Sequence, residues 1–121
     1  MTKILFIALL AVAVFLYFRA TAGAGTNDVW KSIGEGALVI DVRSAEEFAS
    51  GHLDGALNVV HTETEALAQA IGDDKSRSVV LYCRSGNRSG RALNSLQERG
   101  YTNVINGGGF SALRDAKPAA P

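Results

Sequence analysis

The fold is decided by the stretch "SVVLYCRSGNRSGRAL", Ser78–Leu93. Its first part, Ser78–Tyr82, is a short, mostly apolar run, which is typical of a buried strand. The overlapping segment Arg88–Gly100 has apolar residues on one face and a closing glycine, as a helix has. Between the strand and the helix stands Cys83, the only cysteine of the chain. A strand that leads through a glycine-containing loop into a helix predicts one unit of a parallel sheet.

The same alternation of strands and helices runs through the rest of the chain. Apolar runs of strand length predict further strands at 37–42, 55–60 and 102–106. Helical patterns with glycine stops predict helices at 28–36, 44–51 and 62–72, and a glycine turn with a short helix at 107–116. This order predicts an α/β fold in which helices flank a parallel sheet. Ligands of such sheets bind beyond the carboxyl ends of the strands, where Asp41 and Cys83 stand.

Composition limits the classes of function. A chain of 121 residues is long enough for one compact domain even when a leader is set aside. The formal net charge is zero, so no overall field favours nucleic acid as a partner. A single cysteine cannot form an internal disulfide, and with two histidines in no close-spaced pair it predicts no metal site. We therefore expect no cofactor; separately, we expect a monomer.

The front of the chain, residues 1–22, predicts a targeting segment. Fifteen apolar residues at 4–18 have the length of a signal-peptide core and are fewer than the roughly 20 of a spanning helix. Cleavage would make this segment a signal peptide, and retention would make it a membrane anchor formed by an N-terminal hydrophobic helix. Both outcomes place the domain outside the cytoplasm, in the periplasm. The remaining predicted boundaries are a linker at 23–27, a domain at 28–116 and a frayed tail at 117–121.

The loop around Cys83 predicts an activated thiol. A tight glycine-containing loop before a helix points backbone N–H groups into one concavity, and the helix start adds its positive dipole end. Residues 75–97 carry five cations, among them Arg84, Arg88 and Arg91, and no acid. These features should lower the pKa of the thiol and attract an anion. The alternative is an inert, buried cysteine at a strand end.

Three segments resemble one family. They are "LVIDVRSAEEFASGHLDGALNV", "VVLYCRSGNRSGRA" and "NVINGGGFSAL", and together they run from about Val29 to Arg114. In this order and spacing they resemble the single-domain rhodaneses, the thiosulfate sulfurtransferases, and most closely the small exported type like phage-shock protein E. The resemblance implies a central parallel sheet of five strands flanked by helices.

The resemblance also implies a reaction. Cys83 would take sulfane sulfur from thiosulfate, become a persulfide and pass the sulfur to cyanide or a thiol. Arg84 and Arg88 would attract thiosulfate and stabilise the departing sulfite. The substrate-binding residues would be those of the loop, whose backbone N–H groups would hold the outer sulfur: Arg84, Ser85, Gly86, Asn87, Arg88 and Ser89.

Supporting residues are expected beside this loop. Asp41 ends its strand near the pocket, where it helps to hold the loop, and Arg43 pairs with an acid such as Glu47. Ser44 and Glu47 have the spacing of a helix capping box. The glycines at 107–109 lack the Lys-Ser/Thr of a phosphate loop and are expected to let the chain pass close to the active-site loop.

Other functions stay open at this point. Phosphatases and arsenate reductases of this fold have five residues between cysteine and arginine, whereas only four separate Cys83 from Arg88. The shorter loop makes a pocket suited to sulfur rather than to phosphate or arsenate. A persulfide carrier that serves a protein partner is one alternative, and a non-catalytic, membrane-anchored binding domain is another.

Overall fold

The computed structural model describes residues 10–12 and 25–119. Within residues 25–119, five helices alternate with four strands along the chain. The helices are α1 (Thr26–Gly34), α2 (Ala45–Ala49), α3 (Thr64–Ile71), α4 (Asn87–Glu98) and α5 (Phe110–Asp115). The strands are β1 (Leu38–Asp41), β2 (Leu57–Asn58), β3 (Val79–Cys83) and β4 (Val104–Gly109). The predicted α/β class is therefore confirmed.

The strands form one parallel sheet in the order β2-β1-β3-β4. The central strand β3 is buried along its whole length, as its unbroken apolar sequence predicts. Its neighbours β1 and β4 bring their carboxyl ends to the same edge of the sheet. Asp41 pairs in register with Tyr82, so the ends of β1 and β3 lie side by side at this edge.

Two apolar layers cover the sheet, because successive residues of a strand point to opposite faces. On one face, Leu81 and Cys83 of β3 share a buried cluster with residues of α3 and α4 such as Leu67 and Leu96. On the other face, Tyr82 shares a cluster with residues of α1 and α5. Cys83 therefore points to the side of the sheet that α4 covers.

The five-stranded sheet that the resemblance implied is wrong for residues 25–119, which contain four strands. The apolar runs of strand length in this part of the sequence also number four. Ahead of β1, the chain forms α1, whose Val29 is fully buried against the sheet.

The glycines at 107–109 form the end of β4 and not the predicted turn. The register between β3 and β4 shifts after the pair Leu81–Asn106, and Cys83 then pairs with Gly109. Strand β4 thus holds one more residue than β3 over this interval, which is a β-bulge. Gly108 has a φ of 87°, a left-handed conformation that a glycine adopts without steric cost.

The expected leader lies almost entirely outside the described residues. Of the segment 1–22, the structure describes only residues 10–12, which are helical and exposed. The predicted N-terminal hydrophobic helix is therefore not shown as a whole, and the linker at 23–27 is described only from Gly25 onwards. Among the described residues, no helix combines the length and the apolar character that crossing a membrane requires.

Candidate active site

The candidate site is built around the sulfur of Cys83 at the carboxyl end of β3. Cys83 is fully buried, and its thiol is free. The loop that follows reverses direction at Gly86, which caps α4 with a φ of 93°. This left-handed turn directs the Gly86 N–H to the Cys83 Sγ atom, at 2.9 Å. A residue with a side chain at position 86 would be strained in this conformation.

A second donor reaches the sulfur from the first turn of α4. Ser89 is completely buried, and its Oγ lies 3.4 Å from the Cys83 Sγ atom. The sulfur belongs to the apolar cluster on this face of the sheet, yet the amide and the hydroxyl both converge on it. The sulfur of Cys83 is therefore contacted by polar groups as well as by apolar ones.

Burial and hydrogen bonding act on the Cys83 thiol in opposite directions. Burial is the largest single influence and raises the pKa of the thiol, because it disfavours the charged form. The hydroxyl of Ser89 and the backbone N–H groups of Ser89, Ser85 and Gly86 stabilise the thiolate. Together these donors outweigh burial, so the pKa of Cys83 lies below its ordinary value.

The predicted lowering of the thiol pKa is thus found, but the predicted cause was only partly right. The main opposing influence to burial comes from hydrogen bonds to the sulfur, whereas the sequence had pointed equally to the arginines. Arg84 is exposed at the outer side of the loop, and Arg91 is exposed on α4. Arg88 is the arginine whose charge is coupled to that of Cys83, and this coupling is a minor cause of its raised pKa.

Arg88 is already occupied by a carboxylate. Its Nη1 donates to Glu47 Oε1 at 2.6 Å, and its Nη2 donates to Glu47 Oε2 at 2.9 Å. The Arg88 hydrogen bonds hold the pKa of Glu47 at about 2, against its usual 4.5, although desolvation opposes them. Because Arg88 lies in the first turn of α4 and Glu47 lies on α2, this two-pronged ion pair joins the elements that follow β3 and β1.

Arg43 pairs with an acid, as predicted, but this acid is not Glu47, the example that the sequence suggested. Arg43 instead pairs with Asp41, two residues before it, through an Nη2–Oδ2 distance of 2.7 Å. Both side chains are buried, and the Arg43 Nη2 also donates to the Gly51 carbonyl at 2.6 Å. The guanidinium lies over the ring of Phe110, 4.6 Å from its centroid. A buried cation needs a buried anion, and the turn after β1 brings Asp41 closer than Glu47.

Asp41 and Arg43 thus hold the turn after β1 together. No contact of their side chains with the loop at Cys83 exists among the hydrogen bonds and ion pairs of residues 25–119. Asp41 is near the loop only through the sheet, since its strand neighbours β3. The proposed supporting role of both residues is therefore an indirect one.

Sequence reasoning missed Asn106. Its Nδ2 donates to the Gly86 carbonyl at 2.9 Å, and its Oδ1 accepts from the Ser89 hydroxyl at 2.7 Å. Asn106 pairs in register with Leu81, so it points to the same face of the sheet as Cys83. A polar residue at the carboxyl end of an otherwise apolar strand was the signal that could have revealed it.

The glycines of β4 lie directly against the loop, as the sequence predicted. A Cβ atom on Gly109 would be 2.6 Å from the carbonyl oxygen of Arg84, a distance that real Cβ atoms essentially never show. A Cβ atom on Gly86 would come to 3.5 Å from the Cα of Gly108. The absence of side chains at residues 107–109 of β4 therefore lets the loop fold down over the sheet and close around the sulfur.

The residues of the predicted binding loop take different positions. Ser89 is buried, Gly86 and Arg88 are half-buried, and the remaining three are exposed at the rim: Arg84, Ser85 and Asn87. The result is a buried sulfur atom in a cradle of N–H and O–H donors. Such a cradle can hold a thiolate, and it can hold a second sulfur atom attached to the first with its negative charge.

Comparisons with known proteins agree with this arrangement. The Escherichia coli K12 protein named thiosulfate sulfurtransferase PspE is 44% identical over 75 residues, which cover 61% of this chain and 71% of that protein. The thiosulfate sulfurtransferase GlpE of Shewanella oneidensis is 39% identical over 80 residues, covering 64% and 76%. A solved structure described as a rhodanese with anions from E. coli superposes with a TM-score of 0.62 at 39% identity, covering 69% of this chain and 95% of that one.

The sequence model of the rhodanese-like domain matches residues 26–116, which include every element of the sheet and its helices. That the chain is of the exported phage-shock type specifically stays a prediction. The chain belongs to the rhodanese-like domain family.

Proposed function

We propose that this protein is a thiosulfate sulfurtransferase that moves sulfane sulfur to cyanide or a thiol through a persulfide on Cys83. The observation that carries the proposal is the convergence of the Gly86 N–H and the Ser89 hydroxyl on the Cys83 Sγ atom. Relatives that are named thiosulfate sulfurtransferases support the same reaction. The thiolate is the reactive form of cysteine, and these donors favour it.

The first step is attack by the Cys83 thiolate on the outer sulfur of thiosulfate. A bond forms between the two sulfur atoms, the S–S bond of thiosulfate breaks, and sulfite leaves with the electron pair. The outer sulfur of the persulfide then carries the negative charge that the loop donors stabilise. In the second step cyanide or a thiolate attacks that outer sulfur, and the electron pair returns to Cys83 as thiolate. No oxidant or reductant is consumed.

The residues of the loop have different roles in this proposal. The N–H groups at Ser85, Gly86 and Ser89 hold the sulfur, since they are the groups that lower the pKa of the thiol. Arg84, exposed at the rim, attracts the anionic donor. The loop has four residues between Cys83 and Arg88, which leaves a cradle for one sulfur atom rather than for a tetrahedral phosphate.

The decisive experiment is the Cys83→Ser variant in an assay of cyanide-dependent thiocyanate formation. We expect loss of activity together with an unchanged thermal unfolding curve, because serine fits the space of cysteine. Mass spectrometry of wild-type protein incubated with thiosulfate should show an added sulfur on the peptide with Cys83, and the variant should not show it. Thiocyanate formation by the variant at the wild-type rate would refute the proposal.

Steady-state kinetics separate an enzyme from a sulfur carrier. An enzyme turns over thiosulfate and cyanide many times at a constant rate, with the parallel double-reciprocal lines of a two-step mechanism. A carrier that serves a protein partner would load one sulfur per chain and then turn over slowly. We expect the first behaviour.

We also propose that the domain acts outside the cytoplasm, in the periplasm. The apolar segment at 4–18 supports this location, as either a signal peptide or an anchor. Sequencing the amino terminus of the protein from cells would distinguish the two, since a cleaved protein begins near residue 23. Recovery of a chain with intact residues 1–22 from the cytoplasmic fraction would contradict the proposal.

A further inference from the structure

Beside the loop at Cys83 lies a carboxylate that a site for anions does not need. Glu47 lies on α2, and both of its oxygens accept hydrogen bonds from Arg88, at 2.6 and 2.9 Å. The side chains are about 30% exposed, at 31% for Glu47 and 28% for Arg88. The ion pair therefore lies at the boundary between the protein and the solvent.

Glu47 is held in place before any donor arrives. Its Oε1 also accepts from the Ser44 N–H at 3.2 Å and from the Ser44 hydroxyl at 3.1 Å. These contacts complete the capping box that begins α2. The carboxylate is thus fixed by two elements, and moving it would undo both the cap and the ion pair.

This fixed carboxylate changes the net charge around the loop at Cys83. The pair of Glu47 and Arg88 is neutral as a unit, so the arginine whose charge is coupled to that of Cys83 adds no net charge. Within residues 25–119, neither Arg84 nor Arg91 has a carboxylate within ion-pair distance, and both are exposed to screening by salt. The anion at the centre is then held mainly by neutral N–H and O–H donors.

Neutral donors discriminate less between anions of different charge than full cations do. Coulomb attraction between a cation and an anion doubles when the charge of the anion doubles. A site whose central arginine is neutralised loses part of this preference for a dianion. The carboxylate of Glu47 also repels a dianion more strongly than a monoanion.

We propose that Glu47 is a positioning residue that determines donor specificity, because it lowers the preference of the site for dianionic thiosulfate relative to singly charged donors of sulfane sulfur. Organic thiosulfonates, which carry one negative charge, represent the second class. The inference rests on the proposed sulfurtransferase function. It assigns Glu47 an electrostatic role that acts through Arg88 and not through contact with the reacting sulfur.

The reaction with a thiosulfonate forms and breaks the same kinds of bond as the reaction with thiosulfate. The Cys83 thiolate attacks the outer sulfur of the thiosulfonate, and a bond forms between the two sulfur atoms. The original S–S bond breaks, and a sulfinate leaves with the electron pair. Both donors leave the same persulfide on Cys83. A difference in kcat/KM between the two donors therefore reports the first half-reaction alone.

The test compares two glutamine variants on one helix. Glutamine at position 47 can still accept from Ser44 and complete the capping box, but it carries no charge. Glu46→Gln removes the same charge from an exposed position of α2 that has no ion pair with the loop. For each variant, kcat/KM is measured with thiosulfate and with methanethiosulfonate, at low and at high ionic strength, with cyanide as the acceptor.

We expect Glu47→Gln to raise the ratio of kcat/KM for thiosulfate to that for methanethiosulfonate by about two- to fivefold at low salt, the range typical of exposed ion pairs. Glu46→Gln should leave this ratio at the wild-type value, and high salt should shrink the effect of Glu47→Gln. If Glu47 had a merely structural role, its substitution would change kcat/KM for both donors by the same factor and leave the ratio constant. That result would overturn the inference.

The outcome is separable from failure of the proposed function. If wild-type protein used neither donor, the sulfurtransferase proposal would fail. If wild-type protein used both donors and Glu47→Gln left their ratio unchanged, only the role of Glu47 would be refuted. A fall in the ratio would also refute it, because the sign of the charge effect would be opposite.

Discussion

Asn106 donates from its Nδ2 to the carbonyl oxygen of Gly86 at 2.9 Å, and this contact ties β4 to the turn that aims an N–H at Cys83. The orientation of the amide is fixed, because its Oδ1 accepts from the Gly108 N–H at 2.9 Å. The same Oδ1 accepts from the Ser89 hydroxyl, which has a single proton and also lies 3.4 Å from the sulfur. Asn106 therefore competes with Cys83 for that proton.

Replacing this amide by a carboxylate should raise the pKa of the thiol. Asn106→Asp removes the donor to Gly86, attracts the Ser89 hydroxyl more strongly and adds a negative charge beside the sulfur. Each change disfavours the thiolate. We expect the midpoint of the pH dependence of Cys83 alkylation by iodoacetamide to rise by about one pH unit or more.

A matched control for this prediction is Asn103→Asp near the other end of β4. Asn103 is exposed, and its Nδ2 donates to the Ser76 carbonyl at 3.2 Å, far along the strand from the loop. This variant adds the same charge and should leave the midpoint of alkylation at the wild-type value. Equal midpoints for Asn106→Asp and wild type would show that Asn106 does not influence the sulfur.

Gly109 should be intolerant of any side chain. A Cβ atom at this position would meet the backbone of Arg84 at 2.6 Å, and backbone cannot rotate away as a flexible side chain can. Gly109→Ala should therefore lower the free energy of unfolding by about 1–3 kcal/mol, as overpacking usually does. It should also raise the pKa of Cys83, because the loop must move away from β4.

The control is Gly34→Ala at the end of α1, where a Cβ atom would meet nothing within 4 Å. Alanine favours the helix by up to about 1 kcal/mol, so this variant should unfold at the same or a higher urea concentration than wild type. Urea unfolding of both variants and alkylation of Cys83 provide the two measurements. Wild-type stability in Gly109→Ala would mean that the loop does not lie against β4 in solution.

The buried pair of Asp41 and Arg43 should be the most sensitive ion pair of the domain. Asp41 is fully buried, and its neighbour Arg43 lies between Asp41, the Gly51 carbonyl and Phe110. Asp41→Asn leaves the guanidinium without a countercharge in the interior. We expect a loss of about 3–5 kcal/mol in the free energy of unfolding, the usual result of breaking a buried pair on one side.

Asp115→Asn serves as the comparison, since Asp115 pairs with Arg114 in α5 at 3.1 Å. Both of those side chains are mostly exposed, and such pairs contribute about 0–1 kcal/mol. Urea unfolding should therefore distinguish the two substitutions clearly. If Asp41→Asn lowered the free energy of unfolding no more than Asp115→Asn does, the buried pair would have no structural importance.

The sequence predicted well what depends on local chemistry. The apolar run of β3, the loop after it and the helix α4 follow from residues that are adjacent in the chain. The capping box of Ser44 and Glu47 is present because its four-residue spacing fully determines its geometry. The approach of the glycines in β4 to the loop was also predicted, since three consecutive glycines leave that space open.

What the sequence did not predict depends on contacts between distant segments. Long arginine side chains can reach several acids, so spacing alone did not assign Arg43 to Asp41 or Arg88 to Glu47. The role of Asn106 requires the register of β4 against β3. The number of strands was taken from the resemblance, which implied one strand more than residues 25–119 contain.

The ion pair of Glu47 and Arg88 should make part of the stability depend on pH in the acid range. The pKa of Glu47 is about 2 in the folded protein, below its ordinary value of 4.5. A carboxyl group whose folded pKa is depressed stabilises the fold fully above its unfolded pKa, and this contribution disappears as pH falls through the folded pKa. The stabilisation by Glu47 is therefore complete above about pH 4.5 and is lost toward pH 2.

Glu47→Gln removes this titration while it keeps the cap of α2. We expect the variant to be less stable than wild type by about 1 kcal/mol at pH 6, since solvent screens a pair that is about 30% exposed. The difference should shrink between pH 4.5 and pH 2, as urea unfolding at a series of pH values would measure. Glu46→Gln, which lacks the ion pair, should follow the wild-type pH dependence. A constant difference between Glu47→Gln and wild type down to pH 2 would mean that the carboxylate does not pair with Arg88 in solution.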